Sequence, residues 1–128
     1  MIKVLVVDDE KDVEFLFRLQ FRKELRAGKI TMHFAFSGDE ALAFMKTLDP
    51  FDLVLLMSDI NMPGMTGLEL IKAARQLFPN LRIVTITAYN DEHNRQTAAA
   101  NGASAFLTKP VNFDMLRELI FTGKTPQS

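Results

Sequence analysis

Five short apolar runs alternate with amphipathic segments along the chain, and this alternation restricts the fold more than any other feature. The apolar runs, at 2–7, 30–36, 53–57, 81–87 and 104–107, have the length and composition of β-strands. The segments at about 12–27, 37–47, 68–78, 91–101 and 113–121 are predicted to be helices. Strands that alternate with helices form a parallel sheet with helices on both faces. We therefore predict an α/β fold, a doubly wound five-stranded (βα)5 sheet of order 2-1-3-4-5, flavodoxin-like in type.

Length and charge restrict the class of protein further. At 128 residues the chain has the size of one domain, which we assign to residues 1–122, with 123–128 as a tail or the start of a linker. The net charge of −1 argues against nucleic-acid binding, because such domains are normally basic. The sequence contains no run of about 20 apolar residues, no signal peptide and no Cys. We therefore expect no membrane association and a cytoplasmic location.

The stretch 58–67 joins the third apolar run to the segment that follows it. Asp59 comes where a strand ends and a loop opens, which is where ligands bind in open α/β sheets. Pro63, Gly64 and Gly67 set the shape of the loop, because Pro fixes φ and Gly permits a positive φ. A carboxylate in this place can serve as a nucleophile, as a metal ligand or as both.

Polar residues also follow the carboxyl ends of three other strands. Asp8 and Asp9 end the first strand, Thr87 ends the fourth, and the fifth runs into Lys109. Because parallel strands end at the same edge of a sheet, these side chains are expected to converge. The acids then flank the crevice at the topological switch point, together with Asp59.

Three carboxylates in one cleft repel one another unless a cation offsets them. A like-charge pair at about 4 Å costs on the order of 4 kcal/mol at an effective dielectric near 20, whereas a domain is stable by only about 5–15 kcal/mol. Oxygen ligands without His or Cys favour Mg²⁺ over zinc. Acids, a hydroxyl and a Lys together form a phosphoryl-transfer site. We predict Asp59 as the acceptor, with Asp8 and Asp9 as metal ligands that bind directly or, for one of them, through water.

Four motifs stand at these strand ends: Val6-Val7-Asp8-Asp9-Glu10, then Asp59-Ile60-Asn61-Met62-Pro63-Gly64-Met65, then Thr87-Ala88, and last Leu107-Thr108-Lys109-Pro110. From residue 2 to about residue 121 the chain resembles the receiver domains of two-component response regulators. The motifs are similar, in order, to that family's acidic pair, phosphoacceptor loop, hydroxyl switch position and Lys-Pro motif. One such motif is weak evidence, whereas four in order at the correct strand ends are specific.

The resemblance implies a role for each matching residue in phosphoryl transfer. Asp59 would attack a phosphohistidine and form an acyl phosphate, while Lys109 pairs with one phosphoryl oxygen and Thr87 hydrogen-bonds to another. Mg²⁺, or Mn²⁺ in its place, would be held by Asp9, Asp59 and the backbone carbonyl of Asn61, with Asp8 in support. No organic cofactor is implied.

Three further features follow from the resemblance alone. Movement of Thr87 toward the phosphoryl group would leave space for Phe106, which aligns with the family's aromatic switch residue. The Lys109–Pro110 bond is cis in such domains. Asn61 and Tyr89 stand at the positions that tune the lifetime of the phosphoryl group.

The resemblance also implies the partners and limits the catalytic activity. The phosphoryl group would come from a sensor histidine kinase or a His-phosphotransfer domain, and the signal would pass to a downstream effector domain or protein. The resemblance allows a homodimer that depends on phosphorylation. The chain would not be an enzyme in the ordinary sense, because it would catalyse only its own phosphorylation and dephosphorylation. On the first helix, Phe15 lies opposite Val13 and Phe17 among basic residues, and we interpret it as a docking contact for the kinase.

Two other functions use similar residues. A phosphatase of the haloacid-dehalogenase type also combines an Asp nucleophile with a Thr and a Lys, but it needs a second Asp two residues after the nucleophile, where this chain has Asn61, and a substrate cap. A flavodoxin-like FMN binder needs a Ser/Thr/Gly-rich phosphate loop after the first strand. Here that loop begins Asp8-Asp9-Glu10, which would repel phosphate unless a metal intervened.

Overall fold

The computed structural model describes residues 2–49, 52–53, 55–88 and 92–123. Its five strands are β1 (Ile2–Val7), β2 (Ile30–Ala35), β3 (Leu55–Asp59), β4 (Arg82–Thr87) and β5 (Ala105–Thr108). The described helices are α1 (Asp12–Gln20), α2 (Arg22–Arg26), α3 (Gly38–Met45), α4 (Gly67–Leu77), α5 (Glu92–Ala100) and α6 (Phe113–Thr122). The strands are parallel and lie in the order β2-β1-β3-β4-β5. The predicted α/β fold and strand order are confirmed.

The sheet separates two apolar layers. One contains side chains of β1 and β4 with the inner faces of α1 and α6, including the buried residues Phe17, Phe21 and Leu116. The other packs α3, α4 and α5 on the opposite face, where Leu70 and Ile71 are fully buried. Strand β3 lies at the centre and is buried along its whole length, as its continuous apolar run predicts.

The first helical segment differs from the single helix predicted over 12–27. It divides at Phe21, whose backbone (φ −106°, ψ 18°) leaves the helical range. The ring of Phe21 is fully buried and packs between Phe17 and Phe113, with centroid distances of 6.3 and 6.1 Å. Seating this ring in the core turns the backbone at that point. The segment then ends at Gly28, which has a φ of +71° and so acts as the expected helix stop.

Several other boundaries differ by one or two residues. The third strand begins at Leu55 and extends through Asp59 itself, whereas the apolar run predicted 53–57. Only Ala98 of the alanine run at 98–100 is buried. Tyr89, at a predicted lifetime-tuning position, residue 91, where a helix was predicted to begin, and residues 124–128 of the predicted tail lie outside the described residues. Among the described residues, no helix combines the length and the apolar character needed to cross a membrane.

Candidate functional site

The register of the sheet brings two of the predicted acids together. Val7 pairs with Ser58, so the residues that follow them, Asp8 and Asp59, leave neighbouring parallel strands at the same edge. Both carboxylates are buried, each with 6% of its residue surface exposed. The backbone N–H of Glu10 donates to Asp8 Oδ1 at 2.9 Å. The N–H of Asn61 donates to Asp59 Oδ1 at 3.2 Å.

Lys109 reaches this pair from the end of β5. Its backbone N–H donates to the carbonyl oxygen of Thr87 at 2.7 Å, which fixes the residue beside the end of β4. Its Nζ donates to Asp8 Oδ2 at 3.0 Å and to Asp59 Oδ2 at 3.2 Å. The next peptide bond, Lys109–Pro110, is cis, as the resemblance implied. One ammonium therefore bridges two buried carboxylates.

Burial and mutual charge shift the ionisation of this group. Burial, followed by the negative charge of Asp8, raises the pKa of the Asp59 carboxyl, although Lys109 opposes the shift. Burial alone would lower the pKa of the Lys109 ammonium, but its hydrogen bond to Asp8 and the charges of Asp8 and Asp59 outweigh burial and raise it. The cleft thus favours added positive charge.

The acidic cluster fits a hard divalent cation. One carboxylate oxygen from each of Asp8, Asp9 and Asp59 lies within 4.8 Å of the others. Asp9, unlike the other two, is exposed and is therefore free to turn toward an ion. An all-oxygen donor set of this kind suits Mg²⁺ better than zinc.

Thr87 and Asn61 interact through their side chains. Thr87 is fully buried, and its Oγ1 accepts a hydrogen bond from Asn61 Nδ2 at 3.0 Å. The sequence predicts a backbone carbonyl ligand at Asn61 and a position that tunes the lifetime of the phosphoryl group, but not this side-chain contact. A contact between residues 26 positions apart depends on the loop conformation and leaves no local sequence signal.

Phe106 lies on the same face of the sheet as Thr87. It pairs with Thr85 across β4 and β5, so it is a diagonal neighbour of Thr87, and it packs half-buried against the apolar layer under α4 and α5. The Cζ of Arg95, on α5, lies 4.8 Å from the centroid of its ring. This cationic contact was also missed from the sequence.

The loop after Asp59 closes tightly onto the start of α4. Gly67 N–H donates to the carbonyl oxygen of Ile60 at 2.8 Å. A Cβ at Gly67 would overlap the carbonyl oxygen of Asp59 and the Cα of Ile60, so only glycine fits there. Thr66 and Glu69 form a capping box at this helix terminus. Thr66, for which no role was predicted, therefore helps to fix the backbone that carries Asp59.

A pocket of about 230 Å³ lies beside the carboxylates. Its lining includes Asp8, Asp59 and Lys109 as well as Val13 and Leu16 of α1. Phe15, on the outer surface of α1, is 73% exposed. The pocket is therefore lined by both charged and apolar side chains.

Comparison with known proteins agrees with this geometry. The family model described as "Response regulator receiver domain" matches residues 4–121. The chain is 34% identical over 118 residues to sporulation initiation phosphotransferase F of Bacillus subtilis (strain 168), covering 92% of this chain and 90% of that protein. It also matches longer regulators at 33 and 35% identity, of whose length it spans only 22 and 26%.

Two solved structures resemble the chain closely in fold. One is response regulator protein TrrA from Thermotoga maritima in complex with Mg²⁺ and BeF, with 30% identity, a TM-score of 0.77, and coverage of 95% of this chain and 98% of that one. The other is a co-crystal from Saccharomyces cerevisiae of the histidine phosphotransfer signaling protein Ypd1 with the receiver domain of its downstream response regulator Ssk1. It gives 29% identity, a TM-score of 0.79, and coverage of 93% and 86%.

Proposed function

Because the chain belongs to the response regulator receiver domain family, we propose that Asp59 is its phosphoacceptor and that phosphorylation there switches the domain. The observation that carries this proposal is the Lys109 ammonium, which hydrogen-bonds to both Asp8 and Asp59. It holds positive charge at the place where phosphoryl oxygens would arrive. Together with a bound divalent cation, this ammonium would offset the negative charge of the phosphoryl group.

The proposed reaction is a transfer from a phosphohistidine. An oxygen of the Asp59 carboxylate attacks phosphorus, the new O–P bond forms, and the N–P bond breaks with its electron pair left on the imidazole nitrogen. Lys109 turns from the carboxylates to the phosphoryl oxygens as charge develops on them. The chain would catalyse only this step and the later hydrolysis of its own acyl phosphate.

The residues that would hold Mg²⁺, or Mn²⁺ in its place, are Asp9, Asp59 and the carbonyl of Asn61, with Asp8 in support. When bound, the ion supplies positive charge that offsets the carboxylates and the phosphoryl oxygens. The close approach of the three carboxylates supports this assignment.

The switch would run through Thr87 and Phe106. Thr87 Oγ1 would leave its bond with Asn61 and hydrogen-bond to a phosphoryl oxygen. The space that it vacates would then admit the ring of Phe106, which stands diagonally across the neighbouring strand. Phosphorylation would in this way reach the surface formed by α5 and β5.

A histidine kinase or a His-phosphotransfer domain would supply the phosphoryl group. Phe15 and Leu16 on α1 are 73% and 43% exposed, and Leu16 borders the pocket that leads to Asp59. We assign this face as the docking contact for the donor. The phosphorylated chain would signal to a downstream effector and would be able to pair with a second copy of itself. We place it in the cytoplasm.

A phosphatase of the haloacid-dehalogenase type is less compatible with the site. Such an enzyme needs an acid two residues after its nucleophile. That position is Asn61, whose amide donates to Thr87, and an amide cannot supply the proton that the leaving group needs.

The test is covalent labelling with acetyl phosphate and Mg²⁺, followed by mass spectrometry. We expect one phosphoryl group, stable in acid and labile in base. Asp59→Asn abolishes the label, EDTA prevents it, and Asp49→Asn serves as a matched control because Asp49 is exposed between α3 and β3, at the opposite edge of the sheet. Labelling of Asp59→Asn at the wild-type rate contradicts the proposal, and many turnovers of a phosphomonoester without an adduct favour the phosphatase.

A further inference from the structure

Helix α5 is attached to the sheet by little apolar surface. Of its nine residues only Ala98 is buried, whereas α4 buries Gly67, Leu70, Ile71 and Ala74. Few buried apolar contacts give a segment low local stability. The position of α5 therefore depends strongly on its polar contacts.

One of these polar contacts joins α5 directly to Phe106. Arg95 lies three residues before Ala98, so both side chains project from the same face of the helix. The guanidinium carbon of Arg95 lies 4.8 Å from the centroid of the Phe106 ring, and both residues are half-buried. This geometry is that of a cation–π interaction. Arg95 also approaches Glu92 at 3.8 Å, but Glu92 is 69% exposed, so this ion pair contributes little.

The C-terminal end of α5 is held separately. Arg75 on α4 donates through its Nη2 to the carbonyl oxygen of Gly102 at 2.8 Å, and through its Nη1 to that of Pro79 at 2.8 Å. This anchor does not involve Phe106. The contact between Arg95 and Phe106 therefore links the rotamer of Phe106 to the position of α5.

We propose that Arg95 is a positioning residue that holds Phe106 in its half-buried place beside α5, and so stabilises the resting form of the switch. The inference rests on the proposed function. If phosphorylation moves Phe106 toward the space left by Thr87, the ring leaves the guanidinium and the cation–π interaction is lost. Because activation must break this contact, Arg95 lowers the fraction of the chain that is in the active form before phosphorylation.

A cation–π interaction at a partly exposed site corresponds to a factor of about two to five in an equilibrium constant. Beryllofluoride with Mg²⁺ is a suitable probe, because it binds in place of the phosphoryl group without covalent chemistry. For Arg95→Gln we expect beryllofluoride to bind about two to five times more tightly than to the wild type, as measured by titration calorimetry. Arg95→Lys keeps the cation and should restore most of the wild-type affinity.

Two further variants separate this role from a structural one. Glu92→Gln removes the other partner of Arg95 on the same helix and should leave the affinity unchanged. In a Phe106→Leu background, which lacks the ring, Arg95→Gln should have no effect, so the double-mutant cycle isolates the interaction between the two side chains.

Equal or weaker binding by Arg95→Gln overturns the inference, and so does an undiminished effect in the Phe106→Leu background. Failure of the wild type to bind beryllofluoride in the presence of Mg²⁺ overturns instead the proposed function on which the inference rests. The two failures are therefore distinguishable in one set of titrations.

Discussion

Removal of the Asp59 charge should make the magnesium-free protein more stable. In most buried ion pairs, loss of one partner leaves an unpaired charge and destabilises the fold. Here three charged groups interact, because the one ammonium of Lys109 forms ion pairs with both Asp8 and Asp59. Asp59→Asn leaves the pair of Asp8 with Lys109 intact. Its one amide oxygen can keep either the bond from Lys109, which goes to Oδ2 of Asp59, or the bond from Asn61, which goes to Oδ1.

The magnitude follows from the distances. The oxygens of Asp8, Asp9 and Asp59 lie within 4.8 Å of one another, so each like-charge pair costs about 3–4 kcal/mol or more at an effective dielectric near 20. The attraction between Lys109 and Asp59 at 3.2 Å stabilises the charged form of Asp59 by about 5 kcal/mol at the same effective dielectric.

Asp9 is exposed, so solvent reduces its repulsion of Asp59 severalfold. The repulsion of Asp59 by Asp8 and Asp9 is then nearly cancelled by its attraction to Lys109. Burial of the charge then decides the sign, as the raised pKa of the Asp59 carboxyl also indicates. We expect Asp59→Asn to raise the free energy of unfolding by about 1–3 kcal/mol.

Urea unfolding followed by far-UV circular dichroism measures this change. A gain of 1 kcal/mol moves the midpoint by about 0.5 M for an m-value near 2 kcal/mol/M. In EDTA the variant should unfold at higher urea than the wild type. With Mg²⁺ at a hundredfold excess over its dissociation constant, the wild type should gain about 2.7 kcal/mol and the variant much less. An Asp59→Asn variant that is less stable than the wild type in EDTA, or that is stabilised as much by Mg²⁺, refutes the reasoning. The control Asp49→Asn should match the wild type both in EDTA and with Mg²⁺.

Two other perturbations test the surroundings of the site. Gly67→Ala should lower the free energy of unfolding by more than about 2 kcal/mol and slow labelling of Asp59, because its Cβ overlaps the Asp59 carbonyl. Gly28→Ala, which meets nothing within 4 Å but requires a φ of +71°, should cost about 1 kcal/mol and leave labelling unchanged. Burial opposes the charge of Glu24, but Arg117 outweighs burial and lowers the pKa of Glu24 below its ordinary 4.5. Glu24→Gln should therefore cost about 1 kcal/mol at pH 7, and urea titrations should show this difference disappear as the pH falls below 4.5 through the folded pKa.

The sequence predicts well what depends on strand ends. Asp8, Asp59 and Lys109 each follow an apolar run, and in a parallel sheet such positions meet at one edge whatever the details of packing. For the same reason the parallel sheet with helices on both faces could be predicted from alternation alone. These inferences require only the period of the pattern and the direction of the strands. The order 2-1-3-4-5 could not be predicted in this way, because it is one of two common orders of doubly wound sheets and alternation does not choose between them.

What the sequence did not predict depends on individual side chains meeting across the fold. The break at Phe21 arises because its ring is seated against Phe113, which is more than 90 positions away. The bonds of Asn61 to Thr87 and of Arg95 to Phe106 likewise join residues whose separation has no periodic signal. Local propensity carries no information on such contacts, because it describes only neighbours within a few residues.

Two of the missed contacts, that of Asn61 with Thr87 and that of Arg95 with Phe106, share a physical property that the charged cluster lacks. The charged cluster of Asp8, Asp59 and Lys109 is strong, buried and fixed by the ends of three strands, so it changes little unless a ligand enters. These two contacts are weaker, and each is worth about 1 kcal/mol. A switch needs such contacts, since one phosphoryl group can supply only several kcal/mol to exchange one set for another. In the proposed mechanism, the strong contacts would hold the site together and the weak contacts would determine how readily it changes state.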